Sequence, residues 1–303
     1  MEGVLLIHKP AGMTSHDCVA KMRRIAKTKK VGHTGTLDPD VTGVLPVCLG
    51  RATKIVEYLT AESKTYEAEV TVGISTETED ASGEIVERKA VNETITDEMA
   101  LEALRSLTGE IDQVPPMYSA VKIGGKKLYE YARAGQTIER PARKITVHEM
   151  TLLSSVQSGG ETASFRFRVS CSKGTYVRTL AVMIGEHLGY PAHMSHLVRT
   201  GSGSFTIDQC HTFEEIEKAA EENRLQELLI PIGTALNHLP KLSINDTLAK
   251  KVKNGTLLEV PAGLNPGAES IAVYGEDGTC LAIYRQHPEK PHFLKPSKVL
   301  AID

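Results

Sequence analysis

Hydrophobic and polar residues alternate strictly along two segments of the chain. Residues 66–72 read Tyr-Glu-Ala-Glu-Val-Thr-Val, and residues 164–171 read Ser-Phe-Arg-Phe-Arg-Val-Ser-Cys. A period of two residues is typical of a strand with one buried face, so both segments predict half-buried β-strands. Tyr66 lies on the apolar face of the first, and Arg166 and Arg168 share the polar face of the second. The apolar run at residues 4–7 predicts a further short strand.

A period close to 3.6 residues predicts helices elsewhere. The predicted helices cover residues 15–26, 97–107, 175–188 and 212–229. Ser15 is expected to be the N-cap of the first helix. Thr212 and Glu215 have the spacing of a capping box, and Gly189 is expected to end the helix before it.

The texture of the chain changes at about residue 239, where short apolar runs are separated by Gly turns. Residues 271–274 and 279–284 flank Asp277-Gly278, which is a strong hairpin signal. We therefore predict an α+β protein in two domains. Residues 1–238 form a mostly antiparallel mixed sheet with flanking helices, and residues 239–303 form a small all-β module. The segment of about 113–144, rich in Pro, Gly and cations, is predicted to be a projecting insertion.

Composition narrows the functional classes. The chain has 303 residues, a formal net charge of −3 and five cysteines without a C-x-x-C pair. These features predict reduced thiols in a cytoplasmic protein. The N-terminus lacks the pattern of an export signal, and no apolar run is long enough to span a bilayer, so no membrane association is expected.

The charge is unevenly distributed along the chain. Residues 21–30 carry six cations and no acid, and residues 122–144 carry seven cations against two acids. A single run of charge is usually a solvated face. Two such segments favour a partner with a phosphate backbone, although the net charge argues against indiscriminate binding of polyanions.

Residues 32–43, Gly-His-Thr-Gly-Thr-Leu-Asp-Pro-Asp-Val-Thr-Gly, are the strongest candidate for chemistry. Pro39 disfavours helical backbone at Asp38, which places this carboxylate in extended or turn conformation. An ordinary turn would use the same residue types. A lone Asp can act as a nucleophile or a general base, and a neighbouring arginine would keep it ionised. Arg178 and Tyr66 are candidate partners, against the simpler alternatives of a surface cation and core packing.

A histidine cluster offers an alternative site. His193 and His196, with two other histidines near them in sequence, could bind a metal, but no carboxylate or Cys completes the set at a recognisable spacing. We therefore predict no metal site. Phosphate-binding and dinucleotide-binding glycine motifs are also missing from the sequence.

Several segments together resemble the TruB family of tRNA pseudouridine-55 synthases, and the resemblance runs nearly from end to end. The matching segments are residues 3–15, 33–39, 43–46, 50–54, 64–66 and 171–180, with residues 115–122 and 125–129 similar to the RNA-gripping insertion of the family. Residues from about 239 resemble the PUA RNA-binding module only loosely.

The resemblance implies a function for the site residues. A uridine in the T-loop of tRNA would be flipped out and isomerised to pseudouridine without cofactor or metal. Asp38 would be the catalytic carboxylate, Arg178 would pair with it, and Tyr66 would stack on the base and help to remove the C5 proton. The resemblance gives His33 one of two roles: it would occupy the space that the base vacates or stabilise the opened loop. The other residues implied in binding are Tyr176 and Leu197 in the pocket, Lys9 and Pro10 beneath the loop, and Lys126, Lys127 and Arg133 on the insertion.

Three alternatives stay open at the level of the sequence. Asp38 could add to C6 of the base, attack C1′ of the ribose or abstract a sugar proton to give a glycal, and the last is preferred. The protein could instead be a catalytically idle RNA-binding protein or RNA chaperone, a role that could also accompany catalysis. It could also be a metal-dependent hydrolase that uses the His193 region. The expected partner is the T-arm of tRNA, and no protein partner is implied, so a monomer is expected.

Overall fold

The structure, a computed structural model, describes residues 1–261 and 269–301. Residues 262–268 and 302–303 of the predicted C-terminal module lie outside the described residues. The chain divides into two compact units: residues 1–40, 44–60 and 208–303 form unit 1, and residues 41–43 and 61–207 form unit 2. The two units are not separated at the predicted boundary between residues 238 and 239. The predicted boundary stays a prediction.

Strands make up most of the regular structure. The described strands are β1 (Gly3–Lys9), β2 (Val31–His33), β3 (Thr42–Leu49), β4 (Lys64–Val72), β5 (Ile74–Thr76), β6 (Ile85–Arg88), β7 (Gly109–Gln113), β8 (Lys122–Ile123), β9 (Lys126–Lys127), β10 (Arg143–Leu152), β11 (Gln157–Gly159), β12 (Thr162–Cys171), β13 (Ala192–Ser202), β14 (Phe205–Thr206), β15 (Lys241–Ser243), β16 (Leu258–Glu259), β17 (Ile271–Tyr274), β18 (Cys280–Gln286) and β19 (Phe293–Val299).

Helices flank these strands. The described α-helices are α1 (Ser15–Ile25), α2 (Val56–Ala61), α3 (Asp97–Ser106), α4 (Leu128–Arg133), α5 (Val177–Leu188), α6 (Phe213–Glu221), α7 (Ile232–Ala235) and α8 (Asp246–Lys253), and 3-10 turns cover Gly50–Ile55, Ile207–Gln209 and Leu225–Leu228.

In unit 1, β1 and β2 both pair with β3, and α1 and α6 pack against them. The apolar stripe predicted for α1 forms the centre of this core, with Cys18 and Met22 fully buried beside Leu5 and Leu45. The C-terminal residues of the unit form a separate five-stranded sheet in the order β15-β17-β18-β19-β16. The hairpin predicted around Asp277-Gly278 is confirmed by the antiparallel pairing of β17 and β18. The predicted β-rich character of this module is confirmed, and the all-β prediction missed one helix, α8, which packs on the sheet.

In unit 2, an antiparallel sheet has the order β13-β4-β12-β10-β7, and α3 and α5 pack on it. Both strands predicted from alternation are confirmed, as β4 and β12, and they pair with each other in register over nine residues. The exposed Arg166 and Arg168 both bind Glu67 on the polar face. The predicted α+β fold with a mostly antiparallel sheet is therefore confirmed.

Helix ends differ from the prediction at three places. Thr14, not Ser15, is the N-cap of α1, and it forms a capping box with Asp17. α5 begins two residues later than predicted, at Val177, and ends at the left-handed Gly189 as expected. The capping box of α6 is confirmed, but the helix ends at Glu221 instead of residue 229. Asn223 has a φ of 57°, and an Asn in left-handed backbone is a common way to stop a helix.

The insertion of about residues 113–144 connects two paired strands of unit 2. Gln113 at the end of β7 is opposite Arg143 at the start of β10, so both ends of the insertion are fixed by the sheet. Within it, β8 and β9 form a small hairpin that leads into α4.

Candidate active site

The Asp38 loop of unit 1 is held on both sides of the carboxylate. Asp38 itself is half-buried, and its neighbour Leu37 is buried. The Ser15 hydroxyl accepts a hydrogen bond from the Leu37 N–H (2.9 Å) and lies 3.3 Å from the Leu37 carbonyl. Ser15 therefore braces the loop instead of capping α1, a role that helical periodicity does not reveal.

Lys9 supports the other side of the loop. Its side chain is fully buried at the end of β1, and its ammonium donates to the Pro39 carbonyl (2.8 Å) and the Pro10 carbonyl (2.9 Å). The Gly12 N–H also donates to the Pro39 carbonyl (3.0 Å). An ammonium that is buried with several oxygen partners is a rigid brace, because its hydrogen bonds replace those lost to water.

His33 lies at the end of β2, on the same segment as Asp38. Its Nδ1 accepts a hydrogen bond from the Gly35 N–H (3.2 Å), and its ring meets that of His16 edge to face at 5.3 Å. Unit 1 thus brings together Lys9, Pro10, His33 and Asp38.

In unit 2, Tyr66 and Leu197 lie on adjacent strands. Tyr66 of β4 is half-buried, and the residue opposite it on β13 is Arg199. Leu197, which is buried, is opposite Ala68. Since residues two apart on a strand share a face, Leu197 is a diagonal neighbour of Tyr66.

Arg199 is a residue that sequence analysis missed. It is fully buried opposite Tyr66, although arginine is rarely buried. Gly43, which closes the Asp38 motif, pairs with Arg199 in the sheet. A Cβ at this position would collide with the Arg199 carbonyl, so the close approach of the two strands requires a glycine. The sequence gives only one indication of this position: Leu197 and Arg199 are two residues apart, so on a strand they share a face.

Lys64 adds a second buried cation to this part of unit 2. Its ammonium donates to the Glu62 carbonyl (2.7 Å). Burial, reinforced by the positive charge of Arg199, lowers the pKa of Lys64 to about 8.

Arg178 is buried in the first turn of α5, so the alternative of a surface cation is wrong. Its Nη1 donates to the Thr78 carbonyl and its Nη2 to the Tyr118 carbonyl, each at 2.9 Å. Its Nε lies 3.9 Å from a carboxylate oxygen of Asp80. Tyr176 precedes α5, and the buried side chain of Gln113 bonds both its N–H (2.8 Å) and its carbonyl (3.0 Å).

Three cations of the insertion lie over tyrosine rings. Lys127 and Arg133 lie 5.3 Å and 5.4 Å from the ring centre of Tyr129, and Lys126 lies 5.8 Å from that of Tyr131. Such contacts hold flexible side chains in place at little cost. Unit 2 thus contains Tyr66, Tyr176, Arg178, Leu197 and these cations, and the pairing of Arg178 with Asp38 stays a prediction.

The histidine alternative has no support in the structure. His193 is buried with its Nδ1 2.8 Å from the Ile74 carbonyl, while His196 is exposed. Within residues 1–261 and 269–301, no group of three or more His, Cys, Asp or Glu side chains could hold a metal ion. All five cysteines are free thiols. No helix in the described part of the chain is long and apolar enough to cross a membrane.

Solved structures share this fold over almost the whole chain. The crystal structure of a Cbf5-Nop10-Gar1 complex matches with a TM-score of 0.77 and 28% identity, covering 99% of this chain and 85% of that chain. The structure of an H/ACA RNP bound to a substrate RNA containing 2′-deoxyuridine matches with a TM-score of 0.73 and 26% identity over the same shares.

Two family models match consecutive parts of the chain. The TruB family pseudouridylate synthase N-terminal domain matches residues 23–177, and the tRNA pseudouridylate synthase B C-terminal domain matches residues 178–237. The fold and these models define a pseudouridylate synthase, an enzyme that isomerises uridine to pseudouridine.

Full-length relatives carry the same assignment. The tRNA pseudouridine synthase B of Bacillus subtilis (strain 168) is 63% identical over 302 residues, covering 99% of this chain and 98% of the relative. That of Bacillus pumilus (strain SAFR-032) is 59% identical over 305 residues, covering 100% and 99%. The chain therefore belongs to the TruB family, and the resemblance of its motifs is confirmed.

Proposed function

We propose that this protein converts uridine 55 in the T-loop of tRNA to pseudouridine, acting as a cytoplasmic monomer, with Asp38 as the group that acts on the nucleotide. The observation that carries the proposal is the Asp38 loop, which Lys9 and Ser15 hold on both sides of the carboxylate. The relatives named tRNA pseudouridine synthase B support tRNA as the substrate.

The reaction is an isomerisation in which the uracil changes its point of attachment to the ribose. The N1–C1′ bond breaks, the uracil turns within the site, C5 bonds to C1′, and the proton on C5 is released as N1 gains one. Flipping the nucleotide out of its stack costs a few kcal/mol. Stacking of the base on Tyr66 would return about 1–3 kcal/mol of this.

Asp38 would start the reaction by attack on C6 or C1′, or by removal of a sugar proton, the last being preferred. All three routes need an ionised carboxylate at a fixed position, because a misplacement of about 1 Å can cost a hundredfold in rate. The hydrogen bonds to Leu37 and Pro39 supply that rigidity.

The decisive experiment compares Asp38→Asn with Asp40→Asn. Asp40 is an exposed carboxylate two residues further along the same loop, so it is a matched control. The substrate is tRNA transcribed with [5-³H]uridine, and release of tritium reports bond formation at C5. We expect Asp38→Asn to abolish release while tRNA binding stays nearly intact, and Asp40→Asn to behave like the wild type.

A tRNA with cytidine in place of uridine 55 is the substrate control and should release no tritium above background. Substantial turnover by Asp38→Asn would overturn the role of Asp38. Undiminished release from the substituted tRNA would overturn the choice of uridine 55. Tight tRNA binding by a wild type without any release would instead favour the alternative of a binding protein or RNA chaperone.

A further inference from the structure

Arg178 joins two segments that are far apart in the sequence. One is the turn between β5 and β6, through the Thr78 carbonyl, and the other is the root of the insertion, through the Tyr118 carbonyl. A guanidinium is planar and its donors have fixed directions. The two carbonyls therefore help to orient the buried guanidinium of Arg178, together with the Asp80 carboxylate 3.9 Å from its Nε.

The same two segments also bind each other directly. The Tyr118 hydroxyl donates to a carboxylate oxygen of Glu77 at 2.7 Å. Glu77 is adjacent to Thr78, so a closed ring of contacts runs from Arg178 to Thr78, through Glu77 to Tyr118, and back to Arg178. We call this set of four residues the arginine ring.

The β5–β6 turn is a rigid member of the arginine ring. One oxygen of Asp80 accepts hydrogen bonds from the Ser82 N–H (3.0 Å) and the Thr78 hydroxyl (2.6 Å). Glu79 has left-handed backbone with a φ of 63°, and its carboxylate accepts a hydrogen bond from the Thr179 hydroxyl at 2.7 Å. The turn is thus fixed to two successive residues of α5.

The root of the insertion has less regular structure than the turn. It consists of irregular chain between Gln113, which the sheet and Tyr176 hold, and the small hairpin β8–β9. At Tyr118 it is fixed to the β5–β6 turn through the exposed hydrogen bond to Glu77.

We infer that the Tyr118–Glu77 hydrogen bond is a latch, meaning that it couples the position of the insertion to the orientation of Arg178. Tyr118 and Glu77 are therefore positioning residues for the isomerisation. This inference rests on the proposed function, since the insertion carries the cations expected to hold the RNA. With the latch closed, both carbonyls of the arginine ring face the guanidinium. With it open, the Tyr118 carbonyl is free to leave, and Arg178 loses one of the groups that orient it.

The test separates the rate of the chemical step from RNA binding. Single-turnover tritium release at saturating tRNA gives the rate, and filter binding gives the Kd. Tyr118→Phe removes only the hydroxyl, and Glu77→Ala removes only the acceptor. We expect each to lower the rate about five-fold, which corresponds to the loss of one ordinary hydrogen bond at an exposed position, and to change the Kd less than about two-fold.

Three further variants identify the latch itself. The double variant should be no slower than either single one, because both changes break the same bond. Glu77→Gln keeps an acceptor oxygen and should restore most of the rate. Glu84→Ala, which removes an exposed carboxylate of the same hairpin, should match the wild type.

Rates of Tyr118→Phe equal to the wild type, or effects of the two single variants that multiply in the double variant, would overturn the latch. A change confined to the Kd would also overturn it, because the insertion would then act on binding alone. A wild type that releases no tritium would mean that the proposed function fails, which is a separate result from an active wild type with unaffected latch variants.

Discussion

At the scale of single residues, the position of the Asp38 loop depends on buried polar side chains that do not take part in the proposed reaction. Lys9 places a charged ammonium in the protein interior, where an unpaired charge is very costly, and the two carbonyls it meets offset that cost. One of these carbonyls belongs to Pro39, next to Asp38. The stability of the core and the position of the proposed catalytic carboxylate thus depend on the same side chain.

Lys9→Met keeps most of the length of the side chain and removes its donors. The Pro10 carbonyl then loses the ammonium as its partner, and the Pro39 carbonyl keeps only the Gly12 N–H. We therefore expect unfolding to become easier by about 1–3 kcal/mol and single-turnover tritium release to fall at least tenfold. Urea unfolding and the release assay measure the two effects. Lys21→Met, a surface lysine of α1 that pairs with Glu217, should change stability by less than about 0.5 kcal/mol. An active Lys9→Met enzyme would show that the loop does not need this brace.

At the scale of elements, the composition of the insertion indicates which residue types it carries but not which of them contact each other. Its cations and tyrosines are plain in the sequence, but their pairing is not. Arg133 lies over the ring of Tyr129 because α4 brings residues four apart onto one face, and Lys127, the N-cap of α4, reaches the same ring. These two cations are therefore positioned in the protein without RNA.

Replacing Lys126, Lys127 and Arg133 with Gln should weaken tRNA binding and flatten its dependence on salt. Each phosphate contact contributes about one unit to the slope of log K against log salt, so the slope should fall by up to about three. Filter binding over a range of KCl concentrations measures it.

The matched control replaces three exposed cations outside the insertion, Arg105, Lys218 and Arg224, with Gln. It changes the net charge equally and should leave the slope within about one unit of the wild type. An unchanged slope in the insertion variant would mean that the insertion is not a clamp on the RNA backbone.

At the scale of the whole molecule, the buried charges are of one sign. In the described part of the chain, four Lys and Arg side chains are buried, and no Asp or Glu side chain is. The four are Lys9, Lys64, Arg178 and Arg199. The chain nevertheless carries a net charge of −3. Buried cations cost stability, and enzymes commonly accept such a cost at their sites.

Lys64 makes that cost measurable as a dependence on pH. Its pKa of about 8 in the folded protein lies below the ordinary value of 10.5, so the unfolded chain holds the proton more tightly. The penalty is therefore complete below pH 8 and disappears as the pH rises from 8 to 10.5. The stability of Lys64→Met minus that of the wild type should fall by up to about 3 kcal/mol across this window.

Urea unfolding at several pH values between 7 and 10.5 measures this difference, and the subtraction removes groups that titrate in both proteins. Lys218→Met, at an exposed position of α6, is the control and should give a flat difference. A flat difference for Lys64→Met would mean that burial does not depress this pKa.

The sequence by itself determined several of the elements and the family. Alternation located β4 and β12, spacing located the capping box of α6, and the motif around Asp38 located the proposed catalytic residue, because each signal lies within a few neighbouring residues. Only the tertiary structure decided which atoms Lys9 binds in the loop, that Ser15 holds the loop as well, and that Arg178 is buried between two distant carbonyls. Those contacts join residues 22 to 100 positions apart, and such distant partners depend on the path of the whole chain rather than on any local pattern.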